Sequence, residues 1–178
     1  MKFQKSLLTA TLLAAASLTT ISANAATVSD TFNVKIQITS VCSVNAKIGT
    51  NDVNFGQVVA GTAATAQAAT PLTVSCSKNT PYIVNLTPSS TNTDGSGEMK
   101  GPGTGNIGIP YQLRKASGAT AAVWGNQGTL TTVGNGIAGT GRGVTTPVTH
   151  IVYASATAIA TDVEPGVYTD TVTVAVTY

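Results

Sequence analysis

Cys42 and Cys76, a lone His150 and seven carboxylates (Asp30, Asp52, Asp94, Glu98, Asp162, Glu164 and Asp170) are the side chains of this sequence best equipped for chemistry. An isolated cysteine pair can close a disulfide, hold a metal or cycle between redox states. Metal or redox work calls for C-x-x-C spacing or histidine neighbours, and neither is present. His150 stands in the apolar-alternating run Val148–Tyr153, where it reads as an ordinary strand residue rather than a base or ligand. Asp162 and Glu164 flank a turn at Pro165-Gly166, so a solvated turn explains them better than a glycosidase pair. No serine occupies a G-x-S-x-G elbow.

Two stretches match G-x-G-x-x-G, one at Gly103, Gly105 and Gly108, the other at Gly134, Gly136 and Gly139. Phosphate binding needs a strand before the glycines and a helix opening after them. Ile109-Pro110 follows the first match and no helical pattern follows the second, so both read as chance in a glycine-rich chain. No catalytic residue, cofactor, metal or small-molecule substrate is expected, and the sequence points away from an enzyme.

The compartment decides what the cysteines do. Lys2 and Lys5 form a basic start, Leu7 to Ile21 an apolar stretch, and Ala23-Asn24-Ala25 a small-x-small cleavage site. Residues 1–25 therefore read as a secretory signal peptide; the apolar stretch is too short and too rich in Ser and Thr for a membrane-spanning anchor. Export into an oxidising compartment makes a Cys42–Cys76 disulfide the simplest expectation. The remaining 153 of 178 residues suit one domain and carry seven basic and seven acidic side chains. With no net charge there is no basic patch for nucleic acid and no polybasic segment for anionic lipid. Low charge is also compatible with self-association.

The elements that must position these residues are strands. After the signal segment no helical period is found; apolar residues recur every second position between Gly, Pro and Asn turns. Phe32, Val34, Ile36 and Ile38 alternate with polar neighbours, as do Leu72, Val74 and Cys76, and Tyr82, Val84 and Leu86. Val53–Val59, Ile109–Arg114, Val148–Ala154 and Val167–Tyr178 are further candidates. In the last run Tyr168, Asp170, Val172, Val174, Val176 and Tyr178 share one face, and Thr169, Thr171, Thr173, Ala175 and Thr177 the other. A strand in that place needs a neighbour on each side or it is an edge open to another chain. Pro88–Gly108 is either a long surface loop or hides a short strand near Glu98–Lys100, and Gly134–Gly143 has the same ambiguity. The fold class is all-β, a sandwich or barrel.

Taken in order, Val41-Cys42-Ser43-Val44, Val53-Asn54-Phe55-Gly56, Leu72-Thr73-Val74-Ser75-Cys76 and Pro81-Tyr82-Ile83-Val84 form a recognisable series. Ile109-Pro110-Tyr111-Gln112-Leu113, Val123-Trp124-Gly125 and Pro165-Gly166 through Val174 continue it. From about Val28 to Tyr178 the chain resembles the spore coat protein U domain family, pilin-like subunits of archaic chaperone–usher fimbriae. One departure is Asn126, where the family often has an acidic residue after Trp-Gly.

The resemblance implies an immunoglobulin-like β-sandwich lacking its final strand, completed by a donor strand from a periplasmic chaperone or a neighbouring subunit. Partners would be identical or related pilus subunits, the chaperone and an outer-membrane usher, on a path through the periplasm to the cell surface, in support of adhesion or biofilm formation. Residues 26–35 would be the donor extension and 36–178 the pilin-like domain. Val28, Asp30, Phe32, Val34 and Ile36 would then face the neighbour's groove, with Ile36–Val44 kept as the domain's own first strand. Tyr168, Val172, Val174, Val176 and Tyr178 would border the acceptor groove, the valines serving as core and groove floor together. With room for one domain, the chain suits a shaft or minor subunit better than a two-domain tip adhesin. Two other readings stay open: a complete secreted sandwich that binds a ligand through its Gly-rich loops, and a small outer-membrane barrel. Eight aromatics after the signal segment are sparse for the girdles of such a barrel.

Overall fold

The computed structural model describes residues 25–102 and 107–178. The expected signal segment falls outside the described residues except for Ala25, and so do Gly103 and Gly105 of the first glycine match. The chain divides into two units, Met1–Gln37 and Ile38–Tyr178. Residues 25–37 of the first form no strand.

Among the described residues the second unit is all-β, with one 3-10 turn at Ile159–Thr161. Its strands are β1 (Cys42–Asn45), β2 (Ala64–Gln67), β3 (Leu72–Cys76), β4 (Pro81–Pro88), β5 (Ser96–Lys100), β6 (Gly108–Arg114), β7 (Ile137–Thr140), β8 (Val148–His150), β9 (Tyr153–Ala156) and β10 (Val172–Thr177). They form three antiparallel sheets with orders β1-β3-β8, β10-β4-β7 and β2-β9-β6-β5. Leu72 and Val74 of β3, Tyr82, Val84 and Leu86 of β4, Tyr111 and Leu113 of β6 and Ala154 of β9 meet in one core around Trp124. The indole of Trp124 is fully buried, and its N–H donates to the Val84 carbonyl at 3.0 Å.

Several strand expectations change on folding. Phe32–Ile38 forms no strand, and the first strand begins at Cys42 rather than Ile36; alternation prepares a segment for pairing, but pairing needs a partner. Val53–Val59 contributes a single bridge, Val53 to Ala68, because Asn54 accepts the Gly56 amide at 2.7 Å and turns the chain there. Val148–Ala154 is two strands in two sheets, β8 beside β3 and β9 beside β6. Val167–Tyr178 is likewise divided. Thr169 exchanges backbone hydrogen bonds with Lys100 of β5 at 2.8 and 2.9 Å, and only from Val172 does the chain join β4.

Other short elements emerge where composition left two choices. A strand does lie at Ser96–Lys100, and Ile137–Thr140 forms β7 within the second glycine-rich stretch. β4 is buried on both faces rather than one. Its outward Asn85 donates to the Gly128 carbonyl at 2.8 Å and accepts the Gly128 amide at 3.2 Å, so the segment after Trp124 covers that face. The two buried tyrosines each sit directly opposite a glycine in register, Tyr111 across from Gly97 and Tyr82 across from Gly139. Each ring occupies the volume a β-carbon on its glycine would need.

Candidate functional site

β1 and β10 are edges of different sheets, and they approach one another. Among the described residues β1 is paired only with β3, and β10 only with β4. The outer row of amides and carbonyls on β10 is therefore open over six residues. Its sequence, Val-Thr-Val-Ala-Val-Thr, contains none of the charged or proline residues that commonly blunt an edge. β5, an edge of the third sheet, carries Glu98 and Lys100 joined by a 2.6 Å ion pair. The contrast marks β10 as a strand that lacks protection against pairing.

Period-2 geometry sets what this edge presents. Val172, Val174 and Val176 turn toward the core and pack against it, yet each is only half-buried, while Thr173, Ala175 and Thr177 are exposed. Core side chains thus reach the surface along the open edge. Cys42 of β1 also packs against the core from the neighbouring edge.

Cys42 and Cys76 are cross-strand partners in the β1–β3 ladder and are joined by a disulfide, as the sequence leads one to expect. The Ser77 amide donates to the Val41 carbonyl at 2.9 Å, and the Val41 amide to the Ser77 hydroxyl at 3.0 Å. The bond and this ladder clamp β1, whose own side chains are largely exposed, to the fully buried end of β3.

The start of β10 is held from another sheet. Tyr111 of β6 donates its hydroxyl to Asp170 Oδ2 at 2.7 Å. Burial first, and then the hydrogen bond to and charge of Asp170, push the Tyr111 hydroxyl well above the ordinary tyrosine range. Asp170 shares one face of the last run with the valines and, like them, is half-buried. The two-residue alternation does not name its partner. A carboxylate on an otherwise apolar strand face must find a donor, and that need was the available signal.

Tyr168 lies against Gly101, and its hydroxyl donates to the Glu164 carbonyl at 2.8 Å. Tyr178 is about half exposed. Val28, Phe32, Val34 and Ile36 are each at least 86% exposed, in a stretch without strand partners that also contains exposed Asp30. Asp162 and Glu164 are exposed after the 3-10 turn, and His150 is a residue of strand β8.

The sequence matches the Spore Coat Protein U domain over residues 28–175. The chain belongs to that family. The Spore Coat Protein U domain match takes in both the exposed alternating segment and most of β10. Among solved structures the chain is similar to one from the CsuC–CsuE chaperone–tip adhesion subunit pre-assembly complex of archaic chaperone–usher Csu pili of Acinetobacter baumannii. That similarity has a TM-score of 0.49 at 22% identity and covers 79% of this chain and 40% of that one. It is also similar to a chain of a chaperone–tip adhesin complex of CFA/I fimbriae, with a TM-score of 0.42 at 11% identity, covering 76% of this chain and 42% of that one. The chain thus spans less than half the length of either. No curated protein is significantly similar in sequence.

Proposed function

We propose that this Spore Coat Protein U domain protein is a structural subunit of a surface fimbria, exported through the periplasm and assembled by donor-strand exchange. The observation that carries the reading is the open edge of β10 above half-buried Val172, Val174 and Val176. An incoming strand there would satisfy the free backbone groups and cover the valines in one step. The family resemblance to pilin-like subunits supports the same reading and supplies the partners: a periplasmic chaperone first, then an outer-membrane usher and the next subunit.

The donor is the segment 26–35 with Ile36 at its end. Val28, Phe32, Val34 and Ile36 are exposed, and from Phe32 onward they recur at the two-residue period of a strand face. Each apolar side chain that becomes fully buried stabilises the contact by roughly 1.5–3 kcal/mol before ordering costs. Asp30 breaks the apolar series and helps set register, since a one-residue slip would turn every side chain to the wrong face. The role is structural, with no catalytic step, and the fibre would support attachment or biofilm formation.

The test compares two versions of the secreted chain that lack residues 26–35. One ends at Tyr178; the other carries Ala26–Ile38 after a short flexible linker at that end. The appended segment is expected to turn an unstable or aggregating chain into a stable monomer with a higher urea midpoint. Two equally stable monomers would mean that the sandwich is complete alone, and the fibre reading would fall to that of a secreted binding module.

A further inference from the structure

The edges of the sheets opposite β1 and β10 are β8 and β7. Between them lies an open recess of about 560 Å³, lined among others by Lys78, Asn79, Thr140, Arg142, Val148 and His150. That volume lies within the usual range of small-ligand sites, roughly 300–1,000 Å³. No carboxylate lines it, and among the described residues neither Lys78 nor Arg142 is in an ion pair. We propose that this recess binds the carboxylate of an acidic saccharide, with Arg142 and Lys78 taking the charge and Asn79 and Thr140 the ring hydroxyls. The inference stands on the domain alone and is independent of the fibre reading.

The frame of the recess is built rather than incidental. Two of its lining residues have no room for a side chain: a β-carbon at Gly139 would strike the Tyr82 ring, and one at Gly141 would strike the Ser77 carbonyl. Asn79 adopts a left-handed backbone with φ of 62°, and its amide donates to the Gly141 carbonyl at 2.9 Å. The Gly141 amide in turn donates to the Thr80 carbonyl at 2.8 Å. Below them Tyr82 Oη and His150 Nε2 are hydrogen-bonded at 3.0 Å. Burial holds His150 below its ordinary range, so the imidazole is neutral at pH 7 and the positive charge comes from Lys78 and Arg142.

A guanidinium and an ammonium lining one recess suit a carboxylate, which Arg can grip with two parallel N–H bonds. The rest of the lining favours a sugar over an acidic peptide. β7 has four residues and β8 three, a shorter edge for an added strand than the six residues of β10. Val148 provides an apolar wall, and the amide and hydroxyl of Asn79 and Thr140 provide donors and acceptors matched to ring hydroxyls.

The full secreted chain is titrated with a glucuronate tetrasaccharide, with its neutral methyl ester and with tetraglutamate, following backbone amide resonances. The uronate should shift residues 78–80 and 138–150, and the ester should bind about tenfold more weakly or worse. Arg142→Gln should weaken uronate binding by about tenfold, with Arg142→Lys intermediate and the melting temperature of both variants unchanged. Equal binding of acid and ester, or shifts centred elsewhere, would overturn the site. Tetraglutamate bound as tightly as the uronate would overturn the saccharide assignment in favour of an acidic protein segment.

Discussion

Tyr111 of β6 donates its hydroxyl to Asp170 at 2.7 Å, two residues before β10 begins. The bond ties the sheet β2-β9-β6-β5 to the strand that leaves it for β4, just after Thr169 has paired with Lys100. Such a bond to a carboxylate is worth about 1.5–3 kcal/mol. Tyr111→Phe should lower the unfolding free energy by about that amount, measured in urea. The alkaline limb should change as well. Because the folded-state Tyr111 pKa is raised, its contribution is complete below the unfolded value of 10.0 and is lost as pH rises beyond it. The phenylalanine variant should therefore lose less stability above pH 10 than the parent.

The Cys42–Cys76 bond spans a sequence separation of 34 residues. In the chain-entropy account, closing a loop of that size stabilises by about 3–4 kcal/mol. Replacing both cysteines by serine should lower the urea midpoint to match, and added reductant should then have no further effect. β1 should be the first element to lose amide protection, since its backbone pairing among the described residues is with β3 alone and its side chains are largely exposed.

Phe32 is 88% exposed, whereas Val174 is half-buried in the inward row of β10. Phe32→Asp should leave the stability of residues 38–178 within about 0.5 kcal/mol of the parent while abolishing fibre formation in electron micrographs. Val174→Asp should lose both stability and assembly. Normal fibres from the Phe32 variant would refute the donor role.

Gly97 and Gly139 face Tyr111 and Tyr82 across their ladders, with no space for a β-carbon. Gly97→Ala and Gly139→Ala should each destabilise by about 1–3 kcal/mol through overpacking. Pairing the first with Tyr111→Phe should relieve little, because the ring rather than the hydroxyl fills most of the space. Thermal melts of the two single variants and the double variant would show this.

Burial depresses the His150 pKa below 6.5, with the ring packed edgewise on Tyr82 and Trp124. A group whose folded pKa is lowered contributes in full above its unfolded value and loses that contribution as pH falls through the folded one. Stability should therefore begin to fall below about pH 6.5. His150→Gln should remove that early step; a slope unchanged between pH 5 and 6.5 would place its origin elsewhere.

The sequence by itself determined the all-β class, the disulfide, and the core strands that carry Leu72, Val74 and Cys76, then Tyr82, Val84 and Leu86, and then Ile109–Arg114, because alternation and turn chemistry are local properties. β2 escaped notice because Ala64-Thr65-Ala66-Gln67 has almost no apolar contrast. Tertiary structure decided where a run ends: Val148–Ala154 and Val167–Tyr178 each change sheets partway, and nothing in a two-residue period says which neighbour a strand will choose. It also decided that Asn85 is buried, that Tyr111 meets Asp170, and that Lys78, Arg142 and His150 converge on one recess. These relationships join residues far apart in the chain, so they arise from long-range pairing and packing rather than from any local pattern. The open edge of β10 is the sharpest case. Its alternation is legible, but only the fold shows which side of the strand has no partner among the described residues.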